Sequence, residues 1–358
     1  MTRPAQGEKE KLFWFDFLRA AAAFGVILVH VSADVITEWG VFPKSWWWSA
    51  NIYDSIARGC VPIFIMISGA LLLPVQEGIG DFFRKRFYRV AIPFVAWTIL
   101  YLLWKKHFYV PHLGFGEALR LAASGGAHFH LWFIYVLVGL YLVTPVFRIL
   151  AAHASERLLL YFLVLWFVFS SFLPFFEKLG TILIHSNFHI NLFVEPAQGF
   201  IGYFILGHFL RKYMTERQVP AACAMGTVNL FVCALGTYFL TLHARTYSLL
   251  LYENMSPNVV FYAAAVFALA KQADPFLGRA LSAGVRRGIT GLAKASLGIY
   301  LIHPMFIDIL AKGRWGFVLK ADMPHPAYMI PLTTTVIFLL SFLATWMIQK
   351  IPYLKKIV

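Results

Sequence analysis

The chain has 358 residues, of which 60% are hydrophobic, 17% are aromatic and only 13% are charged. A water-soluble fold of this size could not bury so much apolar surface, so the composition excludes that class and predicts an all-α polytopic integral membrane protein. The formal charge of +14 does not indicate nucleic-acid binding, because the basic residues lie mostly between the apolar stretches, where they orient membrane helices. The three cysteines lie in apolar surroundings without metal-ligand spacing, so we expect them to pack in the core and predict no metal.

Ten apolar stretches follow one another along the chain, and each predicts a membrane-spanning helix. Their approximate bounds are 13–35, 52–73, 90–104, 130–147, 158–172, 196–210, 221–242, 259–269, a ninth that begins near 295, and 327–348. We expect Trp46–Trp48 to lie in an interfacial loop, Pro174 to end the fifth span, and Lys105 to Phe129 to form a loop or short surface helix. With both termini cytoplasmic, about two thirds of the 31 Lys and Arg residues fall on the cytoplasmic side, which agrees with the positive-inside rule. The expected architecture is one ten-helix membrane domain over residues 1–358, without an appended soluble domain.

The first span carries Asp16, Arg19 and His30 within an otherwise apolar run, and titratable groups in hydrocarbon are costly. Arg19 and His30 are eleven residues apart, which is about three helical turns, so they share a face about 16 Å apart along the axis. This spacing suits the handling of an anionic substrate and a proton. Asp34, one turn beyond His30, could fix the imidazole tautomer and raise its basicity. The structural alternative makes Arg19 a snorkelling anchor and His30 an interhelical hydrogen-bond partner.

A basic run precedes the third span and contains Arg84, Lys85, Arg86 and Arg89. Arg86 and Arg89 share a face at the expected helix start, where free N–H groups and a partial positive charge favour phosphate binding. Arg84 and Lys85 add to the positive field. Anchoring by the positive-inside rule explains the same residues equally well.

Other polar residues near the ends of the spans could contact an acceptor. His128, His130 and Trp132 lie near the mouth of the fourth span, where an indole can stack on a sugar ring or belong to the interfacial belt. His303 precedes Pro304, which frees a backbone carbonyl, so a structural hydrogen bond is the default and a site-lining role is the alternative. Glu195 is either a helix-start acid or a second carboxylate of the site.

Several of these segments together resemble the acyltransferase 3 family. The similar residues are Arg19 and His30, Phe64–Gly69, Arg86 and Arg89 before Pro93, His130–Phe133 with Gly139 and Tyr141, and Ser296–His303. They cover almost the whole chain in the family's order. The segment Ile-Ser-Gly-Ala-Leu-Leu-Leu-Pro is most similar to the surface-polysaccharide O-acetyltransferase branch, which includes the enterobacterial common antigen enzyme.

The resemblance implies an O-acetyltransferase of the bacterial cytoplasmic (inner) membrane that moves an acetyl group from acetyl-CoA to a surface glycan or lipid-linked sugar. It implies that Arg86, Arg89 and Arg19 bind the donor phosphates, and that Tyr300 and His303 line the substrate site. His30 would act as general base or, alternatively, carry the acetyl group itself.

Two other classes of function need weighing against this one. A proton-coupled secondary transporter of an anionic or lipid-linked solute would use the same intramembrane residues, and a non-catalytic scaffold of a glycan assembly complex would not need His30. The absence of an internal repeat and the clustering of titratable groups at one end of the chain argue against a transporter.

Overall fold

The computed structural model describes residues 12–184 and 199–358, and this part of the chain consists of helices and their connections, without a β-strand. Its α-helices are α1 (Phe13–Ile36), α2 (Lys44–Ala57), α3 (Cys60–Leu72), α4 (Ile79–Arg86), α5 (Ile92–Phe108), α6 (Phe115–Ala123), α7 (Trp132–His153), α8 (Glu156–Trp166), α9 (Leu173–Ile184), α10 (Ile201–Tyr213), α11 (Val219–Ala244), α12 (Pro257–Ala280), α13 (Ala283–Ala311) and α14 (Pro326–Lys350). Nine helical segments among the described residues are long and apolar enough to cross a membrane. The prediction of an all-α polytopic membrane protein is confirmed.

The nine segments match nine of the ten predicted spans, and the remaining prediction coincides with α10. Those nine segments are Phe13–Ile36, Lys44–Leu72, Ile79–Phe108, Phe129–His153, Glu156–Ile184, Glu216–Ala244, Leu250–Ala280, Ala283–Ala311 and Pro326–Lys350. The predicted beginning of the sixth span, near residue 196, lies outside the described residues. The short surface helix expected between Lys105 and Phe129 is present as α6.

Several predicted boundaries are wrong because the spans continue through polar or proline-containing sequence. Trp46–Trp48 belong to α2 and not to a loop. Arg86 and Arg89 are not at a helix start, since the segment already begins at Ile79. Pro174 does not end its span, which continues as α9 to Ile184. The eighth span, predicted over 259–269, extends in both directions and covers Leu250–Ala280.

Two of these long segments remain helical across a proline by changing their hydrogen-bond register. A π-helical turn at Phe87–Ala91 precedes Pro93, and another at Phe167–Phe172 precedes Pro174. A proline has no N–H to bond the carbonyl four residues earlier, and a wider turn is one way to accommodate this. The first π-turn contains Arg89, so the register change helps set the direction of that side chain.

Helix α1 lies at the centre of the described bundle, where it packs against α2, α3, α12, α13 and α14. Its apolar residues are buried on most sides, as for Ile27, Val35 and Ile36, which are fully buried. A membrane helix surrounded by other helices can carry polar side chains that face protein instead of lipid. The position of α1 therefore explains how Arg19 and His30 are tolerated within the span.

The contact between α3 and α10 depends on two glycines. A Cβ atom added to Gly69 would lie 1.7 Å from the carbonyl oxygen of Phe204, and one added to Gly207 would lie 2.0 Å from that of Met66. Small residues let helix backbones approach closely in membranes, where the packing itself provides much of the attraction.

A buried charge pair connects α2 to the segment before α12. The Arg58 guanidinium donates to Asp54 Oδ2 at 2.8 Å and lies 4.3 Å from the centre of the Tyr252 ring. Asp54 is fully buried. Because both charges are paired within the bundle, we interpret this cluster as structural.

The glycine contact gives a stability prediction. Gly69→Val forces the Phe204 carbonyl to move, and overpacking of this kind costs about 1–3 kcal/mol. We expect a clearly lower thermal midpoint for the purified protein in detergent. Gly180→Val is the matched control, because a Cβ atom at Gly180 meets nothing within 4 Å. Equal midpoints for the two variants would contradict the close α3–α10 contact.

Candidate active site

One cavity, which we call the arginine cavity, brings together most of the predicted basic residues. Its volume is about 630 Å³, and its lining includes Arg19, Lys85, Arg86, Arg89 and Arg211. Arg89 has no ion-pair partner among the described residues, and Arg19 makes one long ion pair of 3.8 Å to Asp16. The cavity therefore has a strongly positive wall that suits a ligand with several negative charges.

Glu77 supplies the negative charge at the mouth of the arginine cavity, and it was not predicted. Its carboxylate lies 2.7 Å from Lys85 Nζ, 3.2 Å from Arg86 Nη2 and 3.0 Å from Arg148 Nη2. Glu77 lies in the connection between α3 and α4, outside the spans. The hydrogen bond from Lys85, with further contributions from Arg148 and Arg86, lowers the pKa of Glu77 from 4.5 to about 2. An internal carboxylate thus neutralises part of the basic wall.

A second cavity, which we call the carboxylate cavity, lies further along the bundle. Its volume is about 690 Å³, and its lining includes Asp34, Glu38, Asp308 and Asp322. Aromatic and basic side chains complete the wall: Tyr101, Trp104, Tyr109, Phe129, Lys105, Lys312 and Lys320. Carboxylates beside aromatic faces form a polar, shaped surface that can both accept hydrogen bonds and stack.

Three helices place a histidine between the two cavities. Along α1, Arg19 lines the arginine cavity and Asp34 lines the carboxylate cavity, and His30 lies between them. Along α13, Tyr300 lines the arginine cavity and Pro304 lines the carboxylate cavity, and His303 lies between them.

The start of α7 repeats this order in the opposite chain direction. Phe129 lines the carboxylate cavity, Phe133 lines the arginine cavity, and His130 is between them. We call His30, His130 and His303 the histidine layer.

The rings of the histidine layer are in mutual contact. The His30 and His303 rings are stacked with centroids 5.4 Å apart, and the His130 and His303 rings meet edge to face at 5.6 Å. The His30 ring also contacts Phe129 at 4.9 Å. His30 is partly accessible, whereas His130 and His303 are buried.

Backbone carbonyls hold the two buried histidines in position. Pro304 cannot bond the carbonyl of Tyr300, and the His303 Nδ1–H donates to that carbonyl at 2.6 Å. The neutral His303 ring is therefore the Nδ1–H tautomer, and its buried Nε2 has no partner among the described residues. The Tyr300 hydroxyl donates to the carbonyl of His130. Tyr300 thus joins the arginine cavity to the histidine layer.

Three predicted site residues do not take the positions that the sequence predicted. Arg84 has a side chain that is 69% exposed and pairs with Asp81, away from the arginine cavity. Asp34 is exposed in the carboxylate cavity, and within the described chain no hydrogen bond or ion pair joins it to His30. Trp132 packs on Phe200 and is absent from the lining of both cavities. Glu195 lies outside the described residues.

Other site residues were missed by the sequence analysis. Arg148 and Arg211 come from later spans and reach the same basic region as the predicted arginines. His128 was not missed, since it was grouped with His130 and Trp132; it lines the carboxylate cavity, and its Nδ1 lies 2.9 Å from His130 Nδ1. An isolated acid just before a basic run was a usable signal for Glu77, whereas the two arginines read as ordinary anchors of their helix ends.

A comparison with protein families bears on the class of this site. A family model described as an acyltransferase domain, the acyltransferase 3 domain, matches residues 12–350. The chain belongs to the acyltransferase 3 family. Its coarse function is that of a membrane acyltransferase, which agrees with titratable side chains gathered inside a helix bundle. Comparisons with curated proteins and with solved structures returned no match.

The Glu77 cluster gives this acyltransferase a defined pH dependence. The folded-state pKa of Glu77 is below its ordinary value, so the ionised carboxylate stabilises the folded protein. This stabilisation is complete above about pH 4.5 and is lost as the pH falls towards 2. Glu77→Gln should lower the thermal midpoint in detergent by the same amount at pH 5 and pH 8.

The matched control for Glu77→Gln is Asp81→Asn, which breaks an exposed pair and should change the midpoint little. A Glu77→Gln effect that disappears between pH 8 and pH 6 would contradict the lowered pKa.

Proposed function

We propose that this acyltransferase moves an acetyl group from acetyl-CoA to a hydroxyl of a surface glycan or lipid-linked sugar, with His30 as general base. The observation that carries this proposal is the histidine layer, which lies between a basic cavity and a carboxylate cavity on three separate helices. A donor and an acceptor that enter from opposite sides would meet at this layer. The proposed setting is the bacterial inner membrane, and the proposed branch is that of the surface-polysaccharide O-acetyltransferases.

The arginine cavity is the proposed donor site. Acetyl-CoA carries several phosphate charges on its nucleotide, and Arg19, Arg86 and Arg89 supply donors for charge-assisted hydrogen bonds. The pantetheine arm would extend along the apolar wall of the cavity towards Tyr300. We place this cavity on the cytoplasmic side, because basic residues concentrate on the cytoplasmic ends of membrane helices.

Donor phosphates would compete with Glu77 for the same cations. Arg86 and Lys85 bind the Glu77 carboxylate in the ligand-free protein, whereas Arg89 and Arg19 are less committed. Arg89 and Arg19 are therefore the proposed first contacts of the nucleotide. Arg86 would then exchange the Glu77 carboxylate for a donor phosphate, and its charge would remain paired throughout.

The carboxylate cavity is the proposed acceptor site. A sugar presents hydroxyl donors to carboxylates and a ring face to aromatic side chains, and Asp34, Glu38 and Phe129 offer both kinds of contact. Asp34 thereby takes a substrate-binding role in this proposal instead of the catalytic role expected from its spacing. Trp132 has no part in it.

The proposed transfer needs one base and no metal-derived step. His30 accepts the proton of the acceptor hydroxyl as the oxygen attacks the thioester carbonyl carbon. The carbon–sulfur bond then breaks, the acetyl group remains on the acceptor oxygen, and the proton passes from His30 to the departing CoA sulfur. The Tyr300 carbonyl holds the ring of His303, and this ring packs against His30.

The role of His30 can be tested by two substitutions. His30→Ala and His30→Gln should each lower the rate of radiolabelled acetyl transfer to the membrane glycan fraction by about 10²–10⁴-fold, the usual contribution of a general base. Glutamine keeps a hydrogen-bonding side chain but cannot exchange a proton near neutral pH. Acetyl-CoA affinity should change little, since the basic wall is about 16 Å away along α1.

The matched control for His30 is His243→Gln, which changes an exposed histidine at the end of α11. It should transfer acetyl groups at the wild-type rate. Retention of most activity by His30→Gln would reduce His30 to a packing residue and overturn the mechanism.

The donor site makes a separate prediction. Arg86→Ala with Arg89→Ala removes charge-assisted hydrogen bonds worth about 1.5–3 kcal/mol each, so acetyl-CoA affinity measured by calorimetry should fall more than tenfold. Arg84→Ala removes one positive charge from the same run, but Arg84 lies outside the cavity, so this variant should bind acetyl-CoA normally. Equal affinity in all three proteins would make these arginines topology anchors only.

A further inference from the structure

A third cavity, which we call the lateral cavity, lies beside the arginine cavity and has no part in the proposed reaction. Its volume is about 1050 Å³, and it lies between the connection after α3, the second half of α7 and the end of α10. Glu77 and Arg211 line both this cavity and the arginine cavity. The two spaces are therefore neighbours with a shared wall.

One side of the lateral cavity is apolar and open. Val146 and Ile149 are 67% and 66% exposed, and both lie on the membrane-spanning helix α7. Exposed aliphatic side chains on a spanning helix face the hydrocarbon of the bilayer. An occupant can consequently enter this cavity from the lipid phase.

The other side of the lateral cavity is basic. Arg211 uses one guanidinium nitrogen to donate to the carbonyl of Ala70, which leaves its other donors available. Lys212 is exposed, lies 4.9 Å from the centre of the Tyr213 ring and has no acidic partner among the described residues. With Arg148 engaged by Glu77, the remaining charge of the wall is positive.

A buried histidine in this wall lacks a hydrogen-bond partner. His208 is 4% exposed, lines the lateral cavity, and neither ring nitrogen has a partner among the described residues. A neutral imidazole has one donor and one acceptor, and buried groups of this kind are normally satisfied. A ligand oxygen in the cavity would provide the hydrogen-bond partner that the surrounding protein does not.

We propose that the lateral cavity binds one anionic glycerophospholipid, with its phosphate held by Arg211, Lys212 and His208 and an acyl chain along Val146 and Ile149. Basic pockets between membrane helices at the cytoplasmic surface are suited to anionic headgroups. The same phosphate chemistry occurs in the nucleotide of an acyl-CoA donor. The lateral apolar opening favours the lipid, because a lipid acyl chain is wholly apolar, whereas the pantetheine arm of acyl-CoA carries amide groups that are costly to place in hydrocarbon.

The test compares lipids that differ only in headgroup charge. The purified full-length protein in detergent is titrated with short-chain phosphatidylglycerol and with phosphatidylcholine of the same chains, and binding is followed by native mass spectrometry. We expect at least tenfold tighter binding of phosphatidylglycerol. Lys212→Glu should weaken that binding at least fivefold, and Val146→Trp should weaken both lipids by filling the apolar side.

Arg279→Glu is the matched control for Lys212→Glu, since it makes the same charge change at an exposed residue at the end of α12. It should bind phosphatidylglycerol as the wild type does. Equal affinity for the two lipids, or equal loss in Lys212→Glu and Arg279→Glu, would overturn the proposal. Displacement of phosphatidylglycerol by CoA that persists in the Arg86→Ala, Arg89→Ala protein would assign the site to a nucleotide instead.

Discussion

The packing of α1 against α13, with His30 stacked on His303, is the contact on which the rest of the site depends. Polar rings are tolerated in the interior of a membrane bundle only where protein groups or cavities surround them. Pro304 contributes by freeing the Tyr300 carbonyl, which then holds His303. The same tyrosine bonds the start of α7 through the carbonyl of His130. Because Pro304 lacks a backbone N–H, Tyr300 can hold His303 through its carbonyl, and its hydroxyl bonds the segment before α7. These contacts connect α1, α13 and α7 around the histidine layer.

The distribution of charge around this layer is uneven, and the difference separates the two cavities chemically. The arginine cavity has a cationic wall that is balanced in part by Glu77, whereas the carboxylate cavity carries acids and lysines together. A highly charged anion and a neutral polyol would therefore prefer different ends of the bundle. Because Glu77 already pairs with Lys85 and Arg86, donor binding would be an exchange of anions rather than the addition of a new charge.

Much of the fold and part of the site could be predicted from the sequence. Helical periodicity correctly placed Arg19 and His30 on one continuous helix, and apolar length identified nine of the ten predicted spans among the described residues. Arg86 and Arg89 reach one cavity with Arg19, and their binding of donor phosphates stays a prediction. These are local properties, because they depend on spacing within a single helix.

The failures concern properties that depend on how the helices pack. Asp34 is one turn from His30, yet the packing of α13 places it in a cavity with Asp322 and Lys320. The π-turn before Pro93 keeps Arg89 inside a helix, whereas proline and charge patterns suggested a helix start. Trp132 packs on Phe200, a residue distant in sequence that immediately precedes α10. No rule based on spacing along one helix could have indicated these contacts.

In the proposed reaction, the donor and the acceptor reach the histidine layer from opposite cavities. A cryo-electron microscopy structure with a non-hydrolysable acetyl-CoA analogue, in which a methylene group replaces the thioester sulfur, tests it most directly. The proposed arrangement of the two cavities predicts the nucleotide phosphates among Arg19, Arg86 and Arg89, with the acetyl carbonyl beside Tyr300 and the His30 ring. Density for the nucleotide among Asp34, Glu38 and Trp104, or an acetyl group remote from His30, would contradict it.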